Sequence, residues 1–291
     1  MSGEKLVAHA PAKINLTLHI HGRREDGFHE LESLVAFTAS GDTLTLEPGD
    51  LALAIDGPTA QAAGPMDDNL VIAAARALAQ RVPGLRMGGF HLTKRLPVAA
   101  GIGGGSSDAA AALRLLARLN AMAPDDARLF DAAAQIGSDV PVCLAAQARM
   151  MRGRGEVLGP LIALPQLFAV LVNPGVPVET KAVFSRIGLK PGAASGFGGH
   201  PAIGEKPSRE ELFAALKKGR NDMEDAASVM APVIGHCLAV LAAARGARLA
   251  RMSGSGATCF ALFDDCRAAK AAGCVIRRDH PEWWVKSALL R

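Results

Sequence analysis

At 291 residues, 49% hydrophobic and 21% charged, the chain is long enough for one large or two smaller globular domains. A balance of 32 basic against 28 acidic residues leaves a net charge of +4 with no basic block, which argues against a nucleic-acid partner. The five scattered cysteines contain no C-x-x-C pair and exclude a disulfide or zinc framework.

Positions 13–20 alternate, with Ile14, Leu16, Leu18 and Ile20 on one face and Lys13, Asn15, Thr17 and His19 on the other, which predicts a half-buried strand. A polar turn at 23–27 leads to predicted strands over 31–37 and 43–46. Asp68-Asn69 can cap a helix over 70–80, and 90–94 reads as a short strand. Helices are expected over 109–119 and 125–134, followed by strands near Met150 and over 167–172. The Gly-, Pro- and Ser-rich stretch 185–207 reads as a long mobile loop, after which 209–218 and 225–244 are helical and 258–263 extended. Strands followed by strands, then helices, indicate an α+β layering with a soft boundary near residue 150. Prolines and polar residues break the most apolar stretch, 161–178, so it is not a spanning helix, and the first ten residues hold no signal-like apolar run. A cytoplasmic protein without a membrane partner is expected.

The sharpest chemical signal lies between strand 90–94 and helix 109–119, where Pro97, Val98, Ala99, Ala100, Gly101, Ile102, Gly103, Gly104, Gly105, Ser106 and Ser107 run into Asp108. Four glycines let the backbone approach a bulky ligand, and the orphan N–H groups of a helix start favour an anion. The loop has no lysine, so it is not a Walker loop, and no acidic residue ends a second strand as a dinucleotide site requires. A phosphate cradle and a plain flexible turn both remain open on these residues alone.

Two further segments complete a pattern. Pro11-Ala12-Lys13-Ile14-Asn15-Leu16, the glycine loop, and Arg251-Met252-Ser253-Gly254-Ser255-Gly256-Ala257-Thr258 resemble, in order and spacing, the three motifs of the galactokinase, homoserine kinase, mevalonate kinase and phosphomevalonate kinase (GHMP) superfamily. The resemblance implies a two-domain GHMP kinase fold, with an N-terminal half like the second domain of ribosomal protein S5 (1–150) and a C-terminal α/β-sandwich half (151–291). It also implies ATP as donor, with Mg2+, bound along Pro97–Ser107; the sequence does not reveal the magnesium ligands, the hydroxyls of Ser106 and Ser107 being candidates. Gly27-Phe28-His29, Ile136-Gly137-Ser138-Asp139-Val140-Pro141 and the segment from Asn173 to Thr180 are similar to the branch that phosphorylates the 2-hydroxyl of a cytidyl-diphosphate polyol.

In that branch Asp139 corresponds to the catalytic base and Lys13 to its partner, with Asn15, Phe28, His29, Thr180 and Phe184 at the acceptor. Phe28 and Phe184 would stack on the cytosine and His29 would bond its edge; the family often has Tyr where Phe28 stands. Without the resemblance, Lys13 fits the solvated face of an edge strand, Asp139 a helix N-cap before Pro141, and Phe184 a core position. Another GHMP small-molecule kinase, or a non-catalytic nucleotide-binding regulator, are the competing functions, and a monomer or weak homodimer is expected.

Overall fold

The computed structural model describes residues 5–63 and 69–291. In chain order the elements are β1 (Leu6–Asn15), β2 (His19–Arg23), β3 (His29–Pro48), β4 (Ala52–Asp56), α1 (Leu70–Ala79), β5 (Gly88–Thr93), α2 (Gly104–Leu119), α3 (Ala127–Ile136) and α4 (Val140–Ala145). There follow β6 (Arg149–Gly153), β7 (Val157–Leu161), β8 (Leu167–Asn173), α5 (Thr180–Ile187), α6 (Arg209–Lys218), α7 (Glu224–Met230), α8 (Val233–Ala243), β9 (Ala247–Met252), β10 (Cys259–Phe263), α9 (Cys266–Asp279) and β11 (Trp284–Leu290). Two compact units share the chain. One takes residues up to Lys13, Ser40–Val98 and Gly103–Ala146; the other takes Ile14–Ala39, Ala99–Ile102 and Gln147–Arg291. The chain thus passes between units several times, the last passage being at Ala146–Gln147.

In the first unit β4 lies parallel to β5, which pairs antiparallel with the second half of β3. A parallel pair needs a crossover, and α1 lies within it. Asn69 caps α1 by accepting the Val71 N–H at 2.9 Å; Asp68, the other proposed cap, lies outside the described residues. Helix α1 packs on α2 and α3, and α2 packs on α4. Ala109–Ala112, Leu113, Leu115 and Leu116 are buried along α2.

In the second unit the antiparallel order is β3-β11-β8-β10-β9, with α8 and α9 packed on it. Strand β8, central between β10 and β11, is apolar from Leu167 to Val172; its Val170 and Val172 join a cluster with Ile234, Phe263, Ile276 and Trp283. Helix α9 buries Ala269, Ala272, Gly273 and Ile276, one stripe at helical spacing. Asp265 caps it, and Arg277 and Arg278 face the dipole's negative end. A reciprocal Ser208–Glu211 capping box fixes the start of α6 where the sequence places it.

Several expectations change. The strand expected over 13–20 breaks between β1 and β2, and its polar face is not half-exposed: Lys13, Asn15, Thr17 and His19 are all buried. The two strands expected over 31–37 and 43–46 are one strand, β3. Helix α2 starts at Gly104, inside the glycine loop, and the helix expected over 225–244 breaks at Ala231-Pro232 into α7 and α8.

The stretch 185–207 begins within α5 and is then irregular but fastened. Gly192 N–H donates to Arg23 O, Arg23 N–H to Ala193 O and Ser195 N–H to His21 O. His200 Nδ1–H donates to Pro201 O, leaving Nε2 to accept from the Thr17 hydroxyl at 2.7 Å.

His19, whose ring lies 4.6 Å from that of His200, accepts the Arg220 N–H. Burial, with Arg220 and then His200 adding to it, pushes His19 down from 6.5 to about 4. The folded chain therefore refuses a proton that the unfolded chain accepts. Stability from this group is complete above pH 6.5 and is lost as pH falls toward about 4. Urea midpoints should drop across that window, and His19→Gln, which keeps an acceptor for Arg220, should remove part of the slope; an unchanged slope would contradict the assignment.

Candidate active site

In the first unit, Lys13 is 3% exposed on β1 and its Nζ lies 2.9 Å from Asp139 Oδ2. A buried ammonium without a partner would be strongly destabilising, so this contact is required by the fold as well as useful to chemistry. Asp139 occupies the N-cap position of α4 with Pro141 in the first turn, as the local sequence suggests, but its side chain caps nothing. It faces Lys13 instead and remains 39% exposed, so it is paired and accessible together. Helix α4 is short, and α2 holds its far end: Arg114 donates to the Cys143, Leu144 and His9 carbonyls. Arg114 therefore sets the position of Asp139 from a distance, a role no local signal in the sequence betrays.

Gly103 is the N-cap of α2, with φ +64° and no side-chain cap bond. The N–H groups of the first turn, from Gly104 on, thus have neither intrahelical nor side-chain acceptors, the arrangement that receives phosphate. A Cβ at Gly103 would press on Lys13 Cβ and Cε at 3.3 Å, so Lys13 lies directly against the helix start. Ser107 is buried with its hydroxyl donated to Pro11 O at 2.6 Å and is a structural tie, while Ser106 stays partly exposed. Val98 is 39% exposed.

In the second unit, Ala99–Ile102 are wrapped by the third motif. Gly101 has φ +71°, and a Cβ there would stand 2.5 Å from Ser253 O and 2.7 Å from Gly256 O. The Ser253 hydroxyl accepts the Asn15 N–H and donates to Gly101 O, both at 3.0 Å, and Thr258 N–H donates to Ala100 O. Asn15 donates Nδ2 to Ser33 Oγ at 2.7 Å and keeps Oδ1 buried without a partner.

Asn221, which the sequence leaves without chemistry, donates Nδ2 to Met252 O and Gly254 O, both at 2.8 Å. Arg251 donates to the Leu16, Leu216 and Gly219 carbonyls, and burial lowers it to about 10.

The acceptor candidates Phe28, His29, Thr180 and Phe184 belong to the same unit. Asp26 Oδ1 accepts the Phe28 N–H at 3.1 Å and fixes the turn before it. Phe28 is 48% exposed, with the Arg154 guanidinium 4.9 Å from its ring. Phe184 stacks on His29, centroids 4.2 Å apart and planes 16° apart, because α5 brings it against the start of β3. Burial, then Arg23, lowers the His29 pKa, and its Nε2 is buried with no partner. Thr180 is exposed, its hydroxyl 2.7 Å from that of Ser255.

In the first unit Cys143 lies near the Lys13–Asp139 pair, and burial, with Asp139 adding to it, pushes its thiol up to about 12. Cys237 and Cys259 are buried and raised by the same cause, whereas Cys266 and Cys274 are exposed. A thiol titration at neutral pH should modify Cys266 and Cys274 quickly in the folded protein and all five only after denaturation. Rapid labelling of Cys143 would contradict the described packing.

The chain matches two family models, GHMP kinases N terminal domain over residues 69–147 and GHMP kinases C terminal over 202–281. It is 59% identical to the 4-diphosphocytidyl-2-C-methyl-D-erythritol kinase of Methylobacterium radiotolerans, over 98% of this chain and 99% of that protein. It is 58% identical to the kinase of the same name from Xanthobacter autotrophicus, over 99% and 100%. A crystal structure of 4-(cytidine 5'-diphospho)-2C-methyl-D-erythritol kinase matches with a TM-score of 0.74 at 33% identity, covering 98% of this chain and 99% of its own. The homoserine kinase of Cytophaga hutchinsonii shares the fold alone, with a TM-score of 0.69 at 18% identity over 98% and 94% of the two chains. With its ordered motifs, ionic pair and glycine-cradled helix start, the chain belongs to the 4-diphosphocytidyl-2-C-methyl-D-erythritol kinase family of the GHMP kinases.

Proposed function

We propose that this chain transfers the γ-phosphoryl group of ATP to the 2-hydroxyl of 4-diphosphocytidyl-2-C-methyl-D-erythritol, giving the 2-phosphate and ADP. The observation that carries the assignment of roles is the 2.9 Å Lys13–Asp139 pair. Asp139 accepts the proton of the acceptor hydroxyl as that oxygen attacks phosphorus. Lys13 holds the carboxylate in place and offers positive charge to the oxygen on which negative charge develops. The open N–H groups at the start of α2 take phosphate oxygens, and the Pro97–Ser107 segment is the nucleotide loop.

On the acceptor side, Phe28 supplies an exposed ring for the cytosine, and His29, oriented by Phe184, presents Nε2 to its edge. Since His29 is held toward its neutral form, that edge contact persists at physiological pH. Asn15 offers an unpartnered acceptor oxygen, and Thr180 a hydroxyl. Among the described residues no group of three or more His, Cys, Asp or Glu could hold a metal ion. Mg2+ would arrive on the triphosphate and neutralise phosphate charge, with the partly exposed Ser106 hydroxyl as the candidate protein contact, since Ser107 is tied to Pro11. The enzyme is read as cytoplasmic and as a monomer or weak homodimer.

An ADP-release assay tests the reading, with ADP appearing only when the cytidyl substrate is present and CMP competing with it. Asp139→Asn should lose about 10²–10⁴-fold in kcat while binding ATP normally; robust turnover in that variant would remove the base assignment. Phe28→Ala should raise KM for the cytidyl substrate about 5- to 100-fold, matching a stacking loss of about 1–3 kcal/mol, and leave KM for ATP alone. A change confined to ATP would place Phe28 elsewhere.

A further inference from the structure

Lys94 directly follows β5 and stands three residues before the Pro97–Ser107 loop, and Asp108 follows Ser107 immediately after it. Lys94 Nζ lies 2.7 Å from Asp108 Oδ2 and 2.5 Å from Asp42 Oδ2 on β3. All three side chains are at most 4% exposed. Asp42 Oδ1 accepts the backbone N–H of both Arg95 and Leu96, the residues that lead into the loop. A Cβ at Gly104 would lie 3.7 Å from Lys94 Nζ, so the ammonium lies under the first residue of α2.

We propose that Lys94, Asp42 and Asp108 form a charged clasp that joins the two ends of the glycine-rich loop and acts as a set of positioning residues for the nucleotide. The proposal rests on ATP being the donor.

Two carboxylates and one ammonium are a costly cluster to bury, and apolar side chains of similar volume are often as stable or more so. What apolar packing does not supply is direction. The ammonium must meet both carboxylates, which fixes the register of β5 against α2, and Asp42 orients two successive N–H groups at the loop entrance. A glycine-rich segment has many conformations to lose, and closing its base in advance lowers the ordering cost of binding. Burial raises the Asp108 pKa, and the neighbouring Asp42 adds to it, so the cluster retains a proton more readily than a solvated carboxylate and avoids excess negative charge beside an anion site.

The test compares Lys94→Met, Asp108→Ala and Asp108→Asn with the parent chain in steady-state kinetics, ATP-binding calorimetry and thermal melting. Asparagine keeps an oxygen that accepts from Lys94, whereas alanine does not. Lys94→Met and Asp108→Ala should raise KM for ATP, and the calorimetric Kd with it, by about ten- to a hundredfold. KM for the cytidyl substrate should stay within about twofold of the parent, and Asp108→Asn should restore most of the loss, a split that simple destabilisation does not produce. An unchanged KM for ATP in folded variants, or an equal rise in both KM values, overturns the clasp. Should Lys94→Met and Asp108→Ala fail to fold, Lys94→Arg decides, since it keeps the charge but moves the donors; an unaltered KM for ATP in that variant also overturns it. If the parent chain bound ATP but released no ADP, the kinase reading would fail while the calorimetric comparison still judged the clasp.

Discussion

The first unit is organised around the burial of Lys13. An ammonium at the end of an apolar strand has to be neutralised, and only a carboxylate brought by another element can do so. Asp139 does it from the start of α4, and that helix is too short to hold itself in place, so Arg114 anchors its far end through backbone carbonyls. Gly103 has to lack a side chain because Lys13 lies against it. A single electrostatic requirement thus links β1, α4, α2 and the turn that opens the glycine helix. It also leaves one partly exposed carboxylate, with a cation beside it, at the start of a helix.

That arrangement bears on the absence of a lysine from the glycine-rich loop. A Walker loop carries its ammonium within the motif, and here the sequence 97–108 contains none. Two lysines outside the motif stand at the helix start, Lys13 against Gly103 and Lys94 under Gly104. Their surroundings differ. Lys13 shares a single carboxylate that stays accessible, while Lys94 is enclosed between two that are not. The first is suited to chemistry and the second to holding shape.

Much of this was legible in the sequence, and the failures share a cause. Helix α6 was readable because its capping box and dipole charges are local signals. The three motifs were readable because glycine, serine and lysine types carry specific chemistry at specific spacing. The alternation at 13–20 was misread because a polar stripe looks solvated whether it faces water or a buried network; only tertiary partners such as Ser33, Ser253 and His200 decide. Composition made 185–207 look mobile, yet its backbone pairs with His21 and Arg23, contacts between segments far apart in sequence. Helix α9 hid because its buried stripe is mostly alanine and glycine, too weakly apolar to register as a core face. Asn221 and Arg114 act on backbone carbonyls from distant elements, and no local pattern encodes that.

Strand β3 has a consequence for how this chain comes to be folded at all. Its residues up to Ala39 belong to one unit and those from Ser40 to the other. The first unit has all its residues once Ala146 is made, but Thr38 pairs with Leu290, and Phe37 exchanges two backbone hydrogen bonds with Arg291. During synthesis Phe37 and Thr38 of β3 must therefore wait for a partner strand that leaves the ribosome long after them. A waiting edge of that kind invites the wrong partner. The joint between β3 and β11 is thus closed last, and a chain that stopped shortly before β11 would leave Phe37 and Thr38, and the β11 side of β8, without their partner strand.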